Sequence, residues 1–236
     1  MFEHAELTLI EKMLWRIKLR SDRTNVISAF PDSIITISPR FQHDNMPHEV
    51  SLLLPTNNGA RHLIDAAVKT PKEFADAMLG LFLADPFLNM AIECERLAQA
   101  NISWIVNLPS VEQQDVDFEQ QLADVGLGFH REHNNLEIFK AAGFRIATVV
   151  ADASSAKASA LLHPDAIIIL PRITDFAAGF PSLRQRRSTA QEISLSLDGT
   201  GWKGMLLGLG ELSEMDHERQ WPEALDGVIC RPQILS

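Results

Sequence analysis

Hydrophobic and polar positions along this chain fall into short apolar runs separated by stretches of helical periodicity. The densest run, 102–106, is β-branched and aromatic, gives way to Asn107 and is stopped by Pro109. A run apolar on both faces is the pattern of a strand buried in a parallel sheet. The same character recurs at 33–38, 78–84, 145–150, 166–170, 204–209 and 227–230. Helical spacing fills most of the intervals. Thr56, Asn57 and Asn58 offer N-caps for a helix to about Lys69, a helical piece starts at Pro71, and 90–100 and 154–162 carry further helices. At the start of the chain Leu7, Ile10, Leu14 and Ile17 recur on one helical face with charges opposite, which predicts an amphipathic packing helix over 7–19.

Strands alternating with helices predict a parallel sheet with crossover helices. Seven such runs fit an eight-stranded α/β barrel lacking one clear member better than a doubly wound sheet. The connection from Asn107 to Arg145 is long: Val116, Phe118, Leu122 and Val125 suggest a helix ending at Gly126, and a second helix covers about 134–142. The expectation is one domain over residues 1–236, with an N-terminal helical segment at 1–32. A helical insertion at 112–142 would lie over the C-terminal face of the barrel, where such folds carry lids. An incomplete barrel leaves a sheet edge, so the gap is expected to be covered by the 7–19 helix or by a second copy in a homo-oligomer.

Composition narrows the class. The chain is 46% hydrophobic and 22% charged, without an apolar run near the roughly 18 residues that a membrane helix needs. Thirty-one acidic residues against 21 basic ones give a formal charge of −10, which argues against a nucleic-acid surface. Cys94 and Cys230 lie far apart without metal or redox spacing, and acidic residues stand near the N-terminus where a signal peptide needs basic ones. A cytoplasmic protein that neither enters a membrane nor binds nucleic acid is expected.

α/β sheets place ligand-binding groups at the C-terminal ends of their strands. Asn107 and Ser110 follow the 102–106 strand, although Asn107 also suits a plain helix cap. Pro86 disfavours a helical Asp85, which puts a carboxylate at the end of the 78–84 strand; the alternative is a cap on a helix starting at Pro86. Arg40 has the fork for bidentate pairing with a carboxylate or phosphate, against an ordinary surface ion pair. Glu132 is a candidate general base and Asn107 a donor to a developing oxyanion. His43, Asp44, His48 and Glu49, and His130 and His133, lack zinc-site spacing and read as exposed loop residues; Arg184–Arg187 reads as a solvated face or helix end, and Gly126 with Gly128 as a helix stop.

The segments LFLADPFLNM, WIVNLPSV, FEQQLADVGLGF followed by Glu132, and DAIIILPRIT together resemble the phosphoenolpyruvate hydrolase-like family of TIM-barrel proteins. That family is itself distantly similar to the phosphonopyruvate hydrolase, phosphoenolpyruvate mutase and isocitrate lyase group. IITISPRF and SLLLPTNNGA resemble upstream segments of the same family. The resemblance implies a TIM-like (β/α)8 barrel and metal-assisted hydrolysis or lyase chemistry on a small anionic carboxylate or phosphonate. It implies Asp85, Asn107 and Glu132 as catalytic groups, Arg40 and Ser110 as substrate contacts, and Asp85 as a magnesium-binding or substrate-orienting carboxylate. A hard cation held by one protein carboxylate plus substrate oxygens suits a lone aspartate. One departure stands out. The family opens its barrel with a glycine-rich stretch, and this chain has no glycine from Trp15 to Phe41, so the first strand and its anion loop read as eroded or missing. The alternative function is therefore a catalytically degenerate barrel that binds a metabolite or a partner protein in a regulatory or scaffolding role.

Overall fold

A computed structural model describes residues 12–23, 30–37, 59–172, 175, 179–230 and 233–235. Each expected strand run contains a strand: β2 (Ser33–Ile37), β3 (Ala77–Gly80), β4 (Trp104–Val106), β5 (Arg145–Val150), β6 (Ala166–Ile169), β7 (Met205–Gly210) and β8 (Gly227–Cys230), although the 78–84 run is strand only to Gly80. Each pairs in parallel with the next in chain order.

The expected helix over 7–19 is overturned where it is described, since Lys12–Leu19 is a strand, β1. It pairs antiparallel with β2 on one side and with β8 on the other, so it closes the sheet into an eight-stranded barrel. A short β9 (Gln233–Leu235) pairs with the first residues of β1 and carries the β8 side of the seam further. The first strand is thus neither missing nor eroded; it is reversed. Period two is present in the sequence as well: Met13, Trp15, Ile17 and Leu19 alternate with Lys12, Leu14, Arg16 and Lys18. Ile17 is buried in the barrel interior, with Trp15 and Leu19 packed beside it, while Arg16 and Lys18 face solvent. With the ring closed inside one chain, the free edge that motivated a second subunit is gone.

The described helices are α1 (Gly59–Lys69), α2 (Met90–Gln99), α3 (Val116–Asp124), α4 (Phe129–Ala141), α5 (Ala153–Ala160) and α6 (Leu183–Leu197). All but α3 lie one to a crossover. Of the 112–142 stretch, α4 packs on β4 and β5 as the crossover helix, and α3 with the turn before it is the extra element. Inward residues of every strand of the ring, among them Ile17, Ile34, Met78, Trp104, Val149 and Leu207, meet in one apolar interior. Their outward neighbours Ile35, Leu79, Ile105 and Ile146 pack under α1, α2 and α4, and Ile167, Leu206 and Val228 under α5 and α6. Each fully buried aliphatic side chain contributes about 1.5–3 kcal/mol. Gly80 marks the tightest approach near the site: a Cβ there would lie 2.4 Å from Thr36 Cγ2 and 2.9 Å from the Leu108 carbonyl oxygen. No described helix is long and apolar enough to cross a membrane.

Candidate functional site

Trp104 and Val106 point into the barrel and Ile105 points out, so alternation sends Asn107 outward, into the layer between the wall and α4. There the chain leaves β4, with a cis Leu108–Pro109 bond, and Ser110 caps a single 3-10 turn, Val111–Gln113. The cap is Ser110 and not Asn107. Asn107 instead bridges to β5, accepting from the Val149 backbone N–H through Oδ1 at 2.8 Å.

Glu132 enters the same layer from the first turn of α4. Its Oε2 accepts from Asn107 Nδ2 at 3.1 Å and Ser110 Oγ at 2.7 Å, and its Oε1 from the Val111 N–H at 3.1 Å. Ser110 Oγ accepts in turn from Asn107 Nδ2 and the Glu112 N–H, each at 3.1 Å. Asn107, Ser110 and Glu132 are all 0% exposed. Burial pushes the Glu132 carboxyl up to about 7, against the pull of its donors Ser110, Asn107 and Val111; Glu112 nearby raises it further. Both Asn107 N–H groups, the Ser110 hydroxyl hydrogen and both carboxylate oxygens are engaged inside the group.

Asp85 lies close by along the chain of contacts. Arg131, next to Glu132, donates from Nη2 to the Asp85 carbonyl oxygen at 3.3 Å, and Asn135 Nδ2 donates to the Leu83 carbonyl oxygen at 2.7 Å, so α4 holds the whole loop after β3. The Asp85 carboxylate accepts from the Phe87 N–H at 2.8 Å and is 5% exposed. Burial raises its pKa, with the Phe87 N–H and the charges of Arg131 and Arg61 lowering it. No helix begins at Pro86: α2 begins at Met90 and is capped by Asn89. The surroundings of Asp85 do not fit a magnesium ion. Its charged neighbours are two guanidinium groups, Arg131 and Arg61, which offset the negative charge that would attract a cation. Arg40 lies outside the described residues, as do His43, Asp44, His48, Glu49 and the caps at Thr56, Asn57 and Asn58.

The other expected loop features differ. His133 is buried on α4, 3.2 Å from Ser159 Oγ and against the Phe129 ring, and burial pushes it down to about 4, with His130 adding to the shift. Within Arg184–Arg187, Arg186 is turned inward, where it forks onto Glu214 with two 2.7 Å contacts. An amphipathic helix puts one residue of such a run against the protein. Gly126, at φ 77°, ends α3, and Gly128 caps α4.

Beside the saturated group lies an open cleft of about 640 Å³ whose polar lining follows three successive strands: Glu112 after β4, Asp152 after β5 and Arg172 after β6. α3 forms a wall with Val116, Glu119 and Ala123, and α5 opens onto it with Ser154 and Ser155. Arg172 Nη1 donates to Glu119 at 2.7 Å and to the Gln114 carbonyl oxygen at 3.1 Å, while its Nη2 meets Asp152 at 3.7 Å, beyond hydrogen-bond length. Burial pushes Glu112 up to about 7; the Ser155 hydroxyl lowers it, Glu119 and Asp152 raise it, and Arg172 lowers it. Such a carboxyl exchanges a proton near neutral pH. Sequence reasoning passed over these residues, although Asp152 and Arg172 stand just after strand ends as Asn107 does, whereas Asp85, expected at a strand end, lies in the loop beyond Gly80. No protein-family model matches the chain, and no curated protein matches it.

Proposed function

We propose that the chain is a TIM-type barrel protein, similar to the phosphoenolpyruvate hydrolase-like family, that binds a small carboxylate-bearing metabolite in the cleft at the ends of β4, β5 and β6. One observation carries the reading: a metabolite-sized concavity lined by groups from three successive strand ends, with an Arg172 nitrogen left without a hydrogen bond among the described residues. The trio Asn107, Ser110 and Glu132 braces this site and does not react in it, since its polar atoms are bonded to one another and to backbone N–H groups, and none is exposed. Asp85 supports the loop beside it. The role proposed is binding without turnover.

A second reading, hydrolysis or lyase chemistry on the same ligand class, is favoured by Glu112, a cleft carboxyl at about 7. A thermal-shift screen of phosphoenolpyruvate, phosphonopyruvate, oxaloacetate and simple carboxylates, with and without magnesium, tests both. A ligand at a hundred times its Kd stabilises the native state by about 2.7 kcal/mol. Ser154→Trp, which fills the cleft from an exposed position, should abolish the shift; a shift it leaves intact places the ligand elsewhere and ends the proposal. Turnover that disappears in Glu112→Gln selects the enzyme reading.

A further inference from the structure

Glu112 is 5% exposed, yet it lines the cleft and forms no ion pair among the described residues. The hydroxyl that reaches it, Ser155, has one hydrogen, and Ser155 Oγ also lies 3.0 Å from the Asp152 carbonyl oxygen as its donor. Glu112 therefore has more acceptor capacity than the protein fills, and that capacity is open to the cleft. Arg172 presents the complementary deficit: Nη2 has hydrogens to give and finds Asp152 only at 3.7 Å. The cleft thus holds an under-donated acid and an under-used guanidinium nitrogen within one concavity.

Resting on the cleft as the ligand site, we infer that its ligand is a small amino carboxylate, whose ammonium group is received by Glu112 and whose carboxylate is received by Arg172. An ammonium brings three donors and the charge that Glu112 lacks, and charge-assisted hydrogen bonds of this kind are the strong ones. A keto acid of the same length brings neither donors nor positive charge to Glu112, only a carbonyl oxygen that the ionised carboxylate cannot use. A compact dianion brings a second negative end into a cleft that sets Glu112, Glu119 and Asp152 against Arg131 and Arg172. A zwitterion leaves the cleft's charge unchanged. Ser155 keeps its bond to Asp152, and the α5 cap stays intact.

The test measures affinity by calorimetry for matched pairs: L-alanine against pyruvate, L-glutamate against 2-oxoglutarate, and 4-aminobutyrate against butyrate. At least one amino compound should bind tenfold or more tightly than its partner, because a site with an unfilled acceptor rejects the analogue that lacks the donor. Glu112→Gln should erase that preference, and Ser154→Trp should remove binding of both members of each pair. Equal affinity within every pair, or tighter binding of the keto acids, overturns the amino-carboxylate inference and leaves the cleft as a carboxylate site. Absence of binding by either series, or binding untouched by Ser154→Trp, overturns the cleft reading itself. If Glu112→Gln fails to fold, the matched pairs on the unaltered protein still decide.

Discussion

Glu132 gathers three donors from the turn after β4 without a cation against it among the described residues. Glu132→Ala strands an amide, a hydroxyl and a backbone N–H in a dry layer, at about 1–3 kcal/mol for each group left unmade. The variant should lose about 3 kcal/mol or more, seen as a fall in Tm of roughly 6–12 °C for a chain of this size. Glu132→Gln keeps the shape and one acceptor and should lose less, but it should change the pH profile. With the folded carboxyl at about 7 and an ordinary value of 4.5, the native state holds a proton that the unfolded state releases between those values. Its contribution is full below 4.5 and is lost as pH rises to about 7. Glu112 acts in the same direction, whereas His133, held at about 4 against an ordinary 6.5, loses its contribution as pH falls through that window. Urea unfolding should show wild-type stability declining from pH 4.5 to 7 and a shallower decline in Glu132→Gln; identical slopes would remove Glu132 from the titration. That Asn107 and Ser110 follow a strand was legible from Pro109. Which side of the wall they face was not, since the strand residues 104–106 are apolar on both faces and a pattern with no polar member has no sign.

β1 shows why an element's type is the harder inference at a chain's beginning. Leu14 and Ile17 serve a helical stripe, while Met13, Trp15, Ile17 and Leu19 serve a strand, and Ile17 belongs to both. The decision comes from partners far away, the register Met13↔Thr36 on one side and Ile17↔Ile229 on the other. Local pattern contains neither. Arg20 fixes the end of this strand: its Nε donates to the Leu225 carbonyl oxygen at 2.7 Å, Nη2 to Pro222 at 2.9 Å and Nη1 to Glu218 at 3.3 Å, with the guanidinium over the Trp221 ring. Arg20→Ala leaves these carbonyls to water or to nothing and should cost about 2 kcal/mol, a fall in Tm of about 4–8 °C. An unchanged Tm would mean that the antiparallel seam does not depend on this tie. The parallel strands were legible for the opposite reason: β6, AIII, is apolar on both faces and offers no helical alternative in its length.

Across the whole molecule the polar groups are unevenly spread. The interior of the ring is apolar apart from Thr36, which accepts from Trp15 Nε1, the layers under α1, α2, α5 and α6 are largely so, and most buried amide, hydroxyl and carboxyl groups collect where β4 and β5 meet α4. This asymmetry follows from β4, which is three residues long and leaves β5 without a partner on the β4 side beyond the Val106↔Ala147 pair. A strand that short was legible from Pro109; the side chain that completes it was not. Where Asn107 Oδ1 stands in for a backbone carbonyl, the Val149 amide proton becomes a built-in reporter on the turn that carries Glu112 into the cleft. In native-state hydrogen exchange it should be as slow as the amides of β6 in the intact protein. In Glu132→Ala it should accelerate by a larger factor than they do, since Asn107 then loses the partner that aims it. Equal acceleration would show that this side of the wall opens only when the entire barrel does.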